Sequence, residues 1–114
     1  MRNNEIYEQI AVVEYCDLKG IPIVHVPNES KRSVQYGAQL KRAGMRRGFP
    51  DLYIPVANEG YHGLFIEMKV GSNKPTEAQK YWLAKLRELG HRTEVCYGFD
   101  AAIKVINAYI KGVL

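Results

Sequence analysis

Two apolar runs, each with a carboxylate at one end, constrain this chain more than anything else in it. Asp51 opens the first, Asp-Leu-Tyr-Ile-Pro-Val, just after Pro50. Glu67-Met68-Lys69 closes the second, Gly-Leu-Phe-Ile-Glu-Met-Lys. Between them Ala57-Asn-Glu-Gly-Tyr-His-Gly63 is polar and glycine-bearing, the composition of a β-hairpin loop. Residues two apart in a strand share a face, so Glu67 and Lys69 point one way and Met68 the other. A sheet of this kind can bring Asp51, Glu67 and Lys69 together. Two carboxylates beside an ammonium can hold a hard divalent cation and position a water at a phosphodiester. The plainer reading is that Glu67 and Lys69 are only the polar face of a half-buried strand, since Glu-x-Lys is a common tripeptide. The rest of the chain has to decide between them.

The 114 residues predict a single domain, 1–114, with room for one real core. Hydrophobic content of 46% and charged content of 25% are those of an ordinary soluble globular protein, not of a membrane or disordered chain. No apolar run approaches the roughly 20 residues that span a bilayer. The start, Met-Arg-Asn-Asn-Glu, lacks the apolar stretch of a secretory signal. Cys16 and Cys96 stand far apart and in no metal-ligand spacing. They read as buried thiols in a reducing cytoplasm.

Net charge is a modest +4, but it is unevenly placed. Lys31, Arg32, Lys41, Arg42, Arg46 and Arg47 all fall between Ser30 and Pro50, where no Asp or Glu occurs. Such a block suits a polyanionic partner, because each phosphate neutralised releases counterions. Alone it is more often a solvated surface. Directly before a candidate metal site it points to nucleic acid.

Periodicity and punctuation order the elements. Asn3 or Asn4 can cap a helix running to about Leu18, stopped by Lys19-Gly20. Ile21–Val26 reads as a short strand with Pro22 at its start, and Pro27-Asn-Glu-Ser30 as a turn. Ser33–Ala43 has helical character and ends near Gly44. After the hairpin, Thr76-Glu-Ala-Gln79 has the spacing of a capping box, and its helix runs through Leu89 to stop at Gly90. Arg92–Tyr97 is a further strand. Asp100 is placed to cap a last helix in which Ala102, Ile103, Ile106 and Ile110 are spaced for burial. The order α-β-α-β-β-α-β-α predicts one α/β domain: a mixed sheet of about four strands flanked by helices.

Gln79 falls on the same helical face as Trp82, Leu83 and Leu86, the face that looks toward the sheet. Its amide either closes the capping box or reaches a carboxylate, water or phosphate at the site. Glu8, or Glu5, could project a third carboxylate from the first helix, but that helix is apolar all round and periodicity does not choose its buried face. His25, His62 and His91 show no mutual spacing of a metal site or catalytic pair, and no phosphate-binding glycine loop occurs.

Taken together, Gly48-Phe-Pro-Asp51, Phe65-Ile-Glu-Met-Lys69, Lys74-Pro-Thr-Glu-Ala-Gln79-Lys-Tyr-Trp82 and Gly90-His-Arg-Thr-Glu-Val-Cys-Tyr97 resemble the VRR-NUC domain (virus-type replication-repair nuclease) of the PD-(D/E)xK nucleases. The resemblance covers almost the whole chain and implies a restriction-endonuclease-like core. It implies that Asp51 and Glu67 bind Mg²⁺ or Mn²⁺, with the Met68 carbonyl as a further ligand, and that Lys69 assists the attacking water. Gln79 matches the family's helix glutamine, and Glu8, with Glu5 as fallback, its first-helix acid. Stand-alone domains of this kind resemble homodimeric phage or bacterial nucleases that cut branched DNA, including Holliday junctions. The expectation is therefore a metal-dependent DNA endonuclease of replication, recombination or repair, in the cytoplasm of a bacterial or phage-infected cell. The chain has no room for an added DNA-binding domain, so the basic segment Lys31–Arg47 would hold the backbone phosphates. A non-catalytic nucleic-acid-binding scaffold, or a nuclease for flaps or RNA, are the rival readings.

Overall fold

The computed structural model of the chain describes residues 2–27 and 34–114. Eight elements follow in the expected order: α1 (Arg2–Lys19), β1 (Val24–His25), α2 (Val34–Arg42), β2 (Leu52–Ile54), β3 (Leu64–Lys69), α3 (Glu77–Glu88), β4 (Arg92–Tyr97) and α4 (Phe99–Ile110). They form a four-stranded mixed sheet in the order β1-β2-β3-β4. β1 and β2 pair antiparallel, as do β2 and β3, while β3 and β4 run parallel with α3 as the crossover between them. The hairpin expected around Ala57–Gly63 is thus present, its loop closed by the Asn58–Tyr61 bridge.

The alternation of side chains along β3 divides the molecule. Leu64, Ile66 and Met68 face one way and join Leu52, Ile54 and Cys96 under α1 and α4, where Val12, Cys16, Ala102, Ile106 and Tyr109 complete the main core. Phe65, Glu67 and Lys69 face the other way, toward α3. There Phe65 stacks on Tyr53 at 4.4 Å and meets Phe49 edge-on at 5.4 Å, and Phe49 meets Trp82 of α3 at 5.1 Å. Every residue of β3 is buried, as an inner strand covered on both faces must be.

Three expectations are corrected. The strand foreseen over Ile21–Val26 contracts to Val24–His25: Ile21 N donates to Cys16 O and belongs to the exit of α1, and Pro22 has no N–H to give to a ladder. α2 has the predicted helical character, yet none of its residues is buried. α1 begins at Arg2, so Asn3 and Asn4 lie within its first turn and not at its cap. The last helix is not capped by Asp100. It begins at Phe99 after Gly98, which offers no side-chain cap, and Asp100 lies within the first turn. The orphan Phe99 N–H is taken instead by Glu8 Oε1 from α1, at 2.6 Å.

Candidate active site

One step beyond the Leu52↔Ile66 pair, the antiparallel register sets Asp51 opposite Glu67. Cross-strand neighbours share a face, so the hairpin brings two carboxylates sixteen residues apart in sequence to one spot beneath α3. Asp51 is held from both sides. Its Oδ2 accepts from Met68 N at 2.8 Å, and its carbonyl accepts from Val26 N at 2.8 Å.

Glu67 is 2% exposed. Its Oε2 accepts from Gln79 Nε2 at 3.0 Å and lies 3.8 Å from Lys69 Nζ. Its Oε1 is buried and accepts from no donor group among the described residues. Lys69 is itself buried, which lysines rarely are unless paired. The two readings of Gln79 turn out to be compatible. Its Oε1 accepts from Thr76 N at 2.8 Å while its backbone N–H donates to Thr76 Oγ1 at 3.2 Å, which completes the capping box. The remaining end of the same amide reaches Glu67. One side chain therefore fixes both the start of α3 and the orientation of a site carboxylate.

Burial, and then the charge of Asp51, push the Glu67 carboxyl up to about 9; Lys69 opposes the shift and Glu5 adds to it. Burial also raises Asp51, with the Met68 N–H pulling the other way. The pair is close enough to share a proton. Two carboxylates forced together out of water favour either that shared proton or a cation between them.

His25 and Gln9 were not singled out from the sequence. His25 Nδ1 lies 2.9 Å from Asp51 O and 3.2 Å from the Gln9 amide. A carbonyl only accepts, so a bond to Asp51 requires the proton on Nδ1, and an Nδ1 that donates there does not also accept from Gln9 Nε2. Gln9 lies on the buried stripe of α1 with Val12 and Cys16. No local pattern marks that stripe, because Ile6 and Ile10 are more apolar and are exposed.

The structure does not bring every expected residue together. Asp51, Glu67, Lys69 and Gln79 converge. The carboxylate of Glu8 is engaged at Phe99 N, and the first-helix charge that acts on Glu67 is that of Glu5. Lys41, Arg42, Arg46 and Arg47 are exposed on and after α2, with Arg46 Nη1 donating to Lys41 O at 3.1 Å. Lys31 and Arg32 lie outside the described residues.

Gly48 is a positional requirement that the sequence motif does not explain by itself. Its φ is +84°, and a Cβ there would stand 2.6 Å from Ala78 C and 2.7 Å from Gln79 N. Only glycine lets the loop before Asp51 lie directly against the first turn of α3.

No group of three His, Cys, Asp or Glu side chains able to hold a metal occurs among the described residues. Mg²⁺ does not need three: it keeps several waters and commonly takes one or two protein carboxylates. The Glu67 Oε1 that no donor group among the described residues reaches, with Asp51 beside it, is a ligand set that fits such an ion.

A mixed sheet flanked by helices, with a buried carboxylate and lysine at the end of an inner strand and a half-buried carboxylate facing them, is a nuclease-type core. The chain matches the VRR-NUC domain over residues 5–100 and belongs to that family. A solved structure described as a VRR_NUC domain protein is 34% identical with a TM-score of 0.82, the match covering 95% of this chain and 88% of that one. No curated protein matches the chain.

Proposed function

We propose that this nuclease-family domain is a Mg²⁺- or Mn²⁺-dependent endonuclease that hydrolyses phosphodiester bonds in branched DNA and works as a homodimer. The observation that carries the reading is the Asp51–Glu67 pair, in which buried Glu67 receives Gln79 and Lys69 on Oε2 while its Oε1 accepts from no donor among the described residues. Asp51, Glu67 and the Met68 carbonyl would hold the ion, which when bound polarises the phosphodiester and makes a bound water acidic. Of the two first-helix carboxylates we assign Glu5 to the site, because Glu8 Oε1 already accepts from Phe99 N.

The other steps belong to the protein's own groups. Gln79 holds Glu67 in one rotamer, which leaves Oε1 directed away from α3's amide. The Lys69 ammonium donates to the attacking water and offsets charge building on the phosphoryl oxygens. Lys41, Arg42, Arg46 and Arg47 bind backbone phosphates without reading sequence. A two-fold dimer would set two such sites on a roughly symmetric junction, the arrangement that paired nicks require.

The test is cleavage of a labelled four-way junction in Mg²⁺, Mn²⁺ or EDTA, beside linear duplex, flap and duplex RNA. We expect paired nicks near the branch in either metal and none in EDTA. The Asp51→Ala variant should bind the junction but not cut it. Metal-independent cutting, or a junction left whole in both metals, would overturn the reading. Sedimentation of the free protein checks the dimer.

A further inference from the structure

We propose that the cleft beside the carboxylate pair takes one unpaired nucleobase of the bound strand, so that the enzyme selects DNA with an unstacked nucleotide next to the cut. This rests on the reading of the chain as a nuclease acting on DNA. The cleft measures about 300 Å³ and is lined by Val26, Pro27, Met45, Arg46, Phe49 and Trp82, among others. That is the lower end of the roughly 300–1,000 Å³ range of small-ligand sites, room for a single planar ring system with little to spare.

Its walls are tied to the catalytic residues through the backbone. Phe49 precedes Asp51 by two positions, and Val26 N donates to the Asp51 carbonyl at 2.8 Å. Trp82 follows Gln79 by three on α3, hence on the same helical face. Trp82 meets Phe49 edge-on and is only half-buried, so its ring keeps surface for a ligand. The lining is mostly apolar and aromatic, which suits the face of a base. Arg46 at the cleft supplies positive charge for the attached phosphate, and Arg47 follows it in the chain. A base stacked within a duplex cannot enter. A base at a branch, flap or single-stranded segment can, and sequence-tolerant stacking on aromatic side chains is how such strands are held.

Trp82 is the sole tryptophan of the chain, so its fluorescence reports on this cleft alone. The experiment titrates the full chain, in EDTA to prevent cutting, with a short single-stranded oligonucleotide, the same oligonucleotide with abasic sites, and a blunt duplex. We expect saturable quenching by the intact strand and affinity about 5- to 150-fold weaker for the abasic strand, as loss of roughly 1–3 kcal/mol of stacking implies. The duplex should bind by charge yet leave the fluorescence unchanged. Met45→Gln, which keeps charge and size but makes a half-buried wall position polar, should weaken the intact strand and leave the abasic one nearly unaffected. Equal affinity for intact and abasic strands, or equal quenching by the duplex, overturns the proposal. Since no cleavage is read, a failure here leaves the nuclease reading standing, and a protein that quenches without ever cutting fails that reading alone.

Discussion

Glu67 sits where an ionised carboxylate has poor support: sealed from water, facing another acid, and with one oxygen that accepts from no donor group among the described residues. Its carboxyl is accordingly pushed up to about 9, so in the metal-free protein it holds a proton at neutral pH that the unfolded chain would release. The folded state then binds more protons between about 4.5 and 9, and stability falls as pH rises through that window. Glu67→Gln removes the charge and keeps the shape. We expect it to abolish cleavage while stabilising the metal-free protein at pH 8 by on the order of 2 kcal/mol, read from urea unfolding. A variant that was both inactive and less stable would show that the carboxylate is structural. Elsewhere, burial pushes Cys16 up to about 11 and Cys96 up to about 12. Both thiols should be silent to a thiol-specific dye at pH 8 in the native protein and react fully in denaturant. Because the folded state retains these protons, stability should also decline as pH rises above the ordinary thiol value of 9.0.

Single contacts between elements decide whether those residues meet. Gly48 lies so close to Ala78 and Gln79 that a methyl group must displace the loop or the helix. Gly48→Ala should lower kcat at least tenfold by shifting Gln79 from Glu67, and also cost about 1–3 kcal/mol of stability from the overlap and the positive φ. Gln79→Ala, which leaves the loop undisturbed, should reproduce the kcat loss with a smaller stability change, since it removes half of the capping box and not a packing contact. Similar stability losses with unaltered kcat would separate the helix from the chemistry. The capping box, the hairpin and the α3 crossover were legible because each is a short pattern whose meaning is local: Thr76 with Gln79, the polar stretch Ala57–Gly63, Gly90 after the last turn. What was not legible depends on partners distant in sequence. Asp100 looked like the α4 cap because nothing near Phe99 announces that Glu8, 91 residues away, will supply it. Gln9 is buried in preference to Ile6 and Ile10 because His25 meets it, and that contact exists only once β1 has joined the sheet. Asp51, Glu67 and Lys69 could be read as candidates from spacing alone. The burial of Glu67 and Lys69, and the Glu67 oxygen that no donor reaches, could not.

At the scale of the molecule, the described basic side chains of the Lys31–Arg47 segment come from α2 and the loop after it, and the carboxylates from the ends of two strands. The core lies between the sheet and α1 and α4, and the carboxylates lie under α3. Lys41, Arg42, Arg46 and Arg47 project from α2 and the loop behind it. If these four residues carry phosphate contacts, replacing all of them with Ala should reduce the slope of log K against log salt by up to about 3–4 for duplex DNA. The thermal midpoint should move little, because exposed side chains contribute little to stability. Electrophoretic or anisotropy titrations between 50 and 200 mM salt measure the first, and calorimetry the second. An unchanged slope would place the DNA on another face. That α2 buries none of its residues has one more consequence. A helix that contributes nothing to the interior is released from the requirement that every substitution preserve packing. It can drift in sequence, acquire or lose charge, and meet a new partner while the sheet and its acids stay as they are. If α2 carries the proposed DNA contacts, inheritance is freer to vary what the protein touches than to vary the site itself.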